Sequence, residues 1–339
     1  MRRPLAESPV DPELALGAYN AVRVCLQVQP SEKVTLITDE ASQEIAASLV
    51  HEIEAVGAPY RLWGLEEMAE RPLDAMPQPI LADLESSQVS IFAAQAERGE
   101  LRSRMQMTEV VNRRRIRHGH MVNINKQIMK EGMRADFRKV DQISVRVRDI
   151  ASGAHSIRAK SPAGTDVTAR FNPKYRWIKT SGIINPDKWG NLPGGEVFTA
   201  PEQVDGTFVI DGVVGDYLCA RFGDLQNQPL FIRVKASRLI EAHSENRELE
   251  EEFWKYTHTD VNSDRVGEFA IGTNIAVDHV IGHILQDEKI PGVHLAFGNP
   301  YAEHTGADWY SSTHIDVVGT RFDIWADDRQ LMRDGQFLI

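Results

Sequence analysis

Apolar residues in the first part of the chain alternate between helical and strand-like spacing. Residues 14–28 carry apolar positions at the intervals of an amphipathic helix, and residues 43–56 repeat that pattern. Residues 33–38, 60–63 and 89–93 are short runs of apolar and β-branched residues, which are typical of buried strands. Because strands that alternate with helices of this length form βαβ units, we predict a mainly parallel sheet here.

The pattern changes in the middle of the chain. Short strands are then predicted at residues 166–170, 206–211 and 230–235, separated by segments that contain glycine and proline. This spacing favours an antiparallel or mixed sheet. We therefore predict an α/β domain with a mainly parallel sheet over residues 1–155, followed by a β-rich α+β domain over residues 156–339.

The net charge of the chain argues against two classes of binding function. The formal net charge is -11 over 339 residues, so the chain lacks the basic surface that nonspecific binding to nucleic acid or to an anionic membrane requires. No apolar run approaches the roughly 18 residues of a membrane span. Residues 1–7 are not followed by the apolar stretch of a secretory signal. We expect a cytoplasmic protein that binds neither nucleic acid nor membrane.

The two cysteines limit the kind of metal site that the chain can form. Cys25 and Cys219 lie far apart in apolar segments. Their number excludes a disulfide framework and a zinc site built from thiolates. We expect both to be small buried side chains.

Candidate metal ligands are concentrated in the second half of the chain. His314 and Asp316 are two residues apart, so in a strand their side chains lie on one face and can bind one divalent cation. His294, Glu268 and Glu196 each lie in a separate apolar segment, where a charged side chain is costly unless another charge faces it. Singly, each has an ordinary explanation, such as a surface His-x-Asp pair or a core histidine. Together they would be satisfied by one or two cations, so we predict that they converge on one site.

Three of these segments resemble the aminopeptidase T family of metallopeptidases. The similarity extends over residues 164–339 and is most specific at residues 191–201, 294–303 and 314–316. In that family two glutamates, two histidines and one aspartate bind two divalent cations, for which zinc, cobalt or manganese are suitable. The resemblance implies the following metal ligands: Glu196, Glu268, His294, His314 and Asp316.

The same resemblance implies an activity and two catalytic residues. It implies a metallo-aminopeptidase-like hydrolase that cleaves an amide or peptide bond with metal-activated water, acts on a short peptide or small molecule, and forms a homodimer or larger homo-oligomer. Glu268 would bridge the two cations. Tyr301, seven residues after His294, would donate a hydrogen bond to the oxyanion, or would simply pack beside the site.

Other readings remain open. The 2,5-dihydroxypyridine dioxygenases are similar over the same segments and use a single Fe(II) ion bound by two histidines and an aspartate. The second of those histidines aligns with Glu268. The third hypothesis is a metal-free binding protein with the same fold. The segment that ends in Asp287, Glu288 and Lys289 also departs from the Asp-Glu-Asn pattern that usually precedes the first histidine of the family.

Overall fold

The structure is a computed structural model that describes residues 10–187 and 189–339. Residues 1–7, on which the exclusion of a secretory signal rests, lie outside the described residues. None of the helices within these two ranges is long and apolar enough to cross a membrane. Cys25 and Cys219 are both buried and form no disulfide, as the sequence predicts.

Helices and strands are numbered in chain order. The helices are α1 (Ala15–Tyr19), α2 (Gln43–Val56), α3 (Leu65–Met68), α4 (Gln78–Leu84), α5 (Leu101–Arg114), α6 (Lys126–Lys130), α7 (Phe137–Gly153), α8 (Asp216–Phe222), α9 (Arg247–Tyr256), α10 (Ile284–Asp287) and α11 (Ala302–Thr305). The strands are β1 (Val34–Thr38), β2 (Tyr60–Gly64), β3 (Val89–Ala94), β4 (Arg117–Val122), β5 (Ser156–Lys160), β6 (Asp166–Arg170), β7 (Ile178–Thr180), β8 (Gly190–Asn191), β9 (Glu196–Thr199), β10 (Gln203–Ile210), β11 (Leu230–Lys235), β12 (Arg238–His243), β13 (Val266–Gly272), β14 (Gly292–Gly298), β15 (His314–Val318), β16 (Asp323–Ala326), β17 (Arg329–Arg333) and β18 (Gln336–Phe337). Short 3₁₀ turns cover Pro12–Leu14 and Gly132–Arg134, and a π-helical turn covers Asn20–Cys25.

The chain forms two compact units. Unit 1 consists of Met1–Arg138 and Gly182–Gly194. Its sheet has the order β2-β1-β3-β4-β8, and every neighbouring pair of strands is parallel. The prediction of an α/β region with a mainly parallel sheet is therefore confirmed.

The helices of unit 1 follow the apolar pattern with one local departure. Helix α2 has the predicted bounds and ends at Gly57, which adopts a left-handed conformation with φ of 81°. The helix predicted over residues 14–28 is not a uniform α-helix, because the backbone passes from α1 into the π-helical turn at Asn20. Apolar spacing does not distinguish an α-helical turn from a π-helical one.

Unit 2 consists of Lys139–Ser181 and Gly195–Ile339 and contains two antiparallel sheets. The eight-stranded sheet has the order β12-β11-β10-β6-β5-β16-β17-β18, and the five-stranded sheet has the order β15-β14-β13-β9-β7. Buried residues of both sheets form one hydrophobic core, with Phe208 and Phe269 among its largest side chains. The prediction of a β-rich second part is confirmed.

Candidate metal centre

The predicted ligands lie on one face of the five-stranded sheet of unit 2. Side chains alternate between the two faces of a strand. Phe269 of β13 and Leu295 of β14 enter the hydrophobic core, whereas their neighbours Glu268 and His294 do not belong to it. The residues on the face away from the core are Glu196 of β9, Glu268 of β13, His294 of β14, and His314 and Asp316 of β15.

Small residues on β13 allow side chains of its two neighbouring strands to approach each other. Gly272 pairs with Glu196 of β9, and Ala270 pairs with His294 of β14. Neither residue has a long side chain that would stand between the glutamate and the histidine. The predicted ligands therefore meet above β13.

Two glycines permit the close approach of the backbone beside the ligands. Gly195, immediately before β9, has φ of +134°, and a Cβ atom there would lie 2.6 Å from the Asn274 side chain. Gly298, at the end of β14, has φ of +105°, and a Cβ atom there would lie 2.2 Å from the carbonyl oxygen of Thr313. Both conformations are accessible to glycine and strained for other residues.

A first group of ligand atoms forms around His294. Its Nε2 atom lies 3.4 Å from Glu268 Oε1 and 3.6 Å from Glu196 Oε2. One ligand atom from each of the three residues lies within 4.8 Å of the others. All three residues are buried.

A second group forms around His314 and shares Glu268 with the first. His314 Nε2 lies 3.3 Å from Asp316 Oδ1 and 3.9 Å from Glu268 Oε2. Its other ring nitrogen, Nδ1, lies 2.9 Å from the carbonyl oxygen of Asn299. Donation to that carbonyl fixes the orientation of the ring and leaves Nε2 available to a cation. The structure thus brings all five predicted ligands together.

The donor atoms present fit a divalent cation. His294 Nε2 is buried and makes no hydrogen bond, although two carboxylate oxygens lie close to it. A buried polar atom of this kind is costly unless something binds it. Imidazole nitrogens and carboxylate oxygens without thiolates suit zinc, cobalt and manganese.

The ionisable groups of the cluster shift one another's pKa values. Burial alone would lower the pKa of His314, but Asp316 and Glu268 raise it to about 10. Burial alone would raise the pKa of Asp316, but His314 lowers it to about 2. The pKa of His294 is raised as well, because Glu268 and Glu196 outweigh the effect of burial. A cation that binds here must displace the imidazole protons.

A buried lysine adjoins the cluster, and the search for ligands in the sequence missed its role. The Lys289 side chain is 1% exposed, and its Nζ atom lies 2.8 Å from Glu196 Oε2 and 2.5 Å from Glu288 Oε1. Burial lowers the pKa of Lys289, but the two carboxylates raise it above its usual value. The signal in the sequence was the Glu288–Lys289 charge pair directly before an apolar strand.

Thr180 is a second neighbour that sequence reasoning did not identify. It pairs with Glu196 in the register of β7 and β9, and its hydroxyl donates to Glu196 Oε1 at 2.8 Å. Both oxygens of this carboxylate therefore accept a hydrogen bond within the protein. Threonine on a short strand carries no sequence signal that points to this contact.

The two groups differ in their access to solvent. The side chains of His314 and Asp316 are 18% and 15% exposed, whereas that of His294 is 2% exposed. Solvent therefore reaches the cluster on the side of β15.

Tyr301 lies beside the second group. Its ring centroid is 4.5 Å from that of His314, and it also contacts Phe198 edge-on. The backbone of Tyr301 is in the left-handed region with φ of 49°, and its N–H donates to Asn299 Oδ1. Burial and the nearby carboxylates raise the pKa of its hydroxyl well above the usual value, so this group remains a hydrogen-bond donor.

Comparison with known proteins identifies a family and solved structures with a similar fold. The family model described as thermophilic metalloprotease (M29) matches residues 129–337. No curated protein matches the chain.

Solved structures from two bacteria share the fold. The 2,5-dihydroxypyridine dioxygenase from Pseudomonas putida KT2440 has 13% identity and a TM-score of 0.69, over 97% of this chain and 98% of that chain. Wild-type AmpT from Thermus thermophilus has 18% identity and a TM-score of 0.68, over 96% of this chain and 99% of that chain. At these identities the likeness shows a common fold.

Proposed function

The chain belongs to the thermophilic metalloprotease (M29) family, and from this premise we propose that it is an aminopeptidase of the aminopeptidase T type. Family membership makes it a metal-dependent peptidase. The observation that carries the finer proposal is that two groups of potential ligands share Glu268 on one sheet face. We propose that the site cleaves the first peptide bond of a short peptide.

The residues that would hold metal are those of the two groups. Glu268, His314 and Asp316 would bind one divalent cation, and Glu196, His294 and Glu268 provide the donors for another. Such a cation supplies Lewis acidity and lowers the pKa of water, which makes hydroxide available near neutral pH.

Other groups around the predicted ligands would orient and stabilise the reacting groups. The carbonyl of Asn299 holds the His314 ring in place. The hydroxyl of Tyr301, which stays protonated, can donate a hydrogen bond to the oxygen of the scissile carbonyl as negative charge develops there. A short peptide would approach from the solvent side of β15.

A ring-cleaving dioxygenase with one Fe(II) ion is the alternative. The shared fold with the Pseudomonas enzyme brings it into consideration. That chemistry uses two histidines and one carboxylate on one ion. Here the group around His314 offers one histidine and two carboxylates, so the ligand set favours hydrolysis.

The test is a direct assay of both activities on the metal-free full chain. We expect release of the N-terminal residue from short peptides after addition of Zn²⁺, Co²⁺ or Mn²⁺, and no cleavage of the same peptides with an acetylated N-terminus. Oxygen uptake with 2,5-dihydroxypyridine and Fe(II), without peptide cleavage under any metal, would contradict the proposal and support the alternative.

A further inference from the structure

We propose that Lys289 makes the two halves of the metal centre unequal in their affinity for a divalent cation. The group formed by Glu268, His314 and Asp316 binds one cation tightly, and the group around His294 binds a second cation much more weakly. This inference rests on the proposed function, because it assumes that the cluster binds divalent cations.

Lys289 lies against the first group as a fixed positive charge. Its Nζ atom is 2.8 Å from Glu196 Oε2, the same oxygen that lies 3.6 Å from His294 Nε2. A lysine ammonium has three hydrogen-bond donors and no acceptor, so it cannot be a ligand and must compete with a cation for that oxygen. Its burial keeps water from screening the repulsion between the two positive charges.

Glu196 has little capacity left for a cation. Its Oε1 atom accepts from the Thr180 hydroxyl, and its Oε2 atom accepts from Lys289. The ammonium also pairs with Glu288 Oε1 at 2.5 Å, which holds it beside Glu196, so the remaining lone pairs of Glu196 belong to a carboxylate already in contact with a fixed positive charge. Within the first group, His294 and the shared Glu268 are then the only donors free of a lysine.

In the second group, the described ion pairs of the carboxylates are with histidines and not with a lysine. In the part of the chain that the structure describes, the basic side chain that pairs with Asp316 is His314, itself a ligand. His314 and Asp316 are also the more exposed pair, so a cation can reach them from solvent. The same cluster therefore contains one site whose carboxylates form ion pairs with the candidate histidines, and one in which the carboxylate of Glu196 is also held by an ammonium.

The experiment is a titration of the metal-free full chain with Zn²⁺. Calorimetry measures the dissociation constants, and native mass spectrometry measures the number of bound ions. We expect one tightly bound zinc per chain, with a second at least ~100-fold weaker because of the adjacent ammonium. Lys289→Gln and Lys289→Met should each bring the second dissociation constant to within ~10-fold of the first. Lys160→Gln is the matched control, since Lys160 pairs with Asp166 on the surface of the eight-stranded sheet.

Variants of the histidines assign the two sites. In the wild-type background, His314→Asn should lose the tight zinc and His294→Asn should keep it. In the Lys289→Gln background, His294→Asn should return the stoichiometry to one.

The outcomes separate the inference from the function on which it rests. No zinc bound to the wild-type chain would contradict the proposed function itself. Two zinc ions of similar affinity in the wild type would overturn the inference and leave the function intact, and this measurement does not depend on whether any variant folds. One zinc in both Lys289 variants, with circular dichroism unchanged, would also overturn it.

Discussion

Glu268 is the side chain that the two groups of predicted ligands have in common, with one carboxylate oxygen directed to each histidine. Glu268→Ala should therefore lose bound metal and reduce turnover by on the order of 10²–10⁴-fold, because loss of one ligand removes several kcal/mol of transition-state stabilisation. Metal content and peptide hydrolysis measure this. Glu241→Ala is the control, since Glu241 pairs with Arg233 on the surface of the same unit. Equal activity of the two variants would show that Glu268 is not part of the metal centre.

The same position separates hydrolysis from ring cleavage. An imidazole at residue 268 does not present one oxygen to each of His294 and His314 as the carboxylate does, so Glu268→His should have no more peptidase activity than Glu268→Ala. In a ferrous oxygenase it would complete a triad with His314 and Asp316. Fe(II) binding and oxygen uptake gained by Glu268→His would therefore favour the dioxygenase.

Tyr301 tests whether a residue beside the ligands takes part in the reaction. Tyr301→Phe keeps the ring against His314 and removes only the hydroxyl. If the hydroxyl stabilises the developing oxyanion, kcat should fall by roughly 10–10²-fold while KM and metal content stay nearly constant. An unchanged kcat would mean that Tyr301 only packs beside the site.

Single residues also show the limits of prediction from sequence. The candidate ligands can be predicted from the sequence because a carboxylate or imidazole in an apolar strand needs a charged or polar partner. The sequence around Lys289 shows a departure from a family pattern and a charge pair with Glu288, but neither predicts the contact with Glu196, which lies 93 positions away in the chain. A contact of that separation follows from the fold and has no local signature.

Among the elements, strand faces were predictable and strand neighbours were not. Alternation of side chains within β15 indicates that His314 and Asp316 share a face. The order β15-β14-β13-β9-β7, which brings four ligand-bearing strands together, depends on pairing between distant segments. The two-residue strand β8, which joins the parallel sheet beside β4, is too short to carry a periodic signal.

Strand β4 of unit 1 contains a pair of buried histidines with a predictable effect on stability. His118 Nδ1 lies 2.8 Å from Ser90 Oγ, and His118 Nε2 lies 3.1 Å from His120 Nδ1. Burial lowers the pKa of His118 to about 3, and burial also lowers that of His120. Both side chains are therefore neutral in the folded protein at pH 5, where the unfolded chain protonates them.

Because the unfolded chain then binds more protons, the free energy of unfolding must fall as the pH drops below the usual histidine value of about 6.5. The histidine contribution is complete above that pH and declines toward the folded pKa. In urea titrations, the loss of stability between pH 7.5 and pH 5 should be about 2 kcal/mol smaller for His118→Gln than for the wild type. An identical pH dependence in both proteins would show that His118 is protonated in the folded state.

On the scale of the whole molecule, the domain boundary predicted from the sequence differs from the bounds of the two compact units. The change of pattern predicts a single boundary, with domains at residues 1–155 and 156–339. The compact units instead divide after Arg138, and Gly182–Gly194 belongs to unit 1. A segment that returns to an earlier sheet through β8 is a long-range feature, which composition and periodicity do not contain.

The assembly state is a separate expectation at this scale. The resemblance to the aminopeptidase T family implies a homodimer or larger homo-oligomer. Light scattering at micromolar concentration should therefore give a particle of at least twice the mass of one chain. A particle of single-chain mass across the concentration range would contradict this expectation.

Metal binding should stabilise the whole chain in a way that depends on the cluster. The formal net charge is -11, and four carboxylates of unit 2 (Glu196, Glu268, Glu288 and Asp316) lie together around two histidines and one lysine. A cation that binds only the folded state adds a free energy that rises with the logarithm of its concentration, about 2.7 kcal/mol when free metal is 100 times the dissociation constant. Zn²⁺ should therefore raise the denaturation midpoint and slow amide exchange in β9, β13, β14 and β15, and a chelator should reverse both effects.

In Glu268→Ala the stabilisation by zinc should disappear, because the residue shared by both groups is gone. Equal stabilisation of Glu268→Ala and wild type by zinc would show that the ion acts elsewhere on the chain.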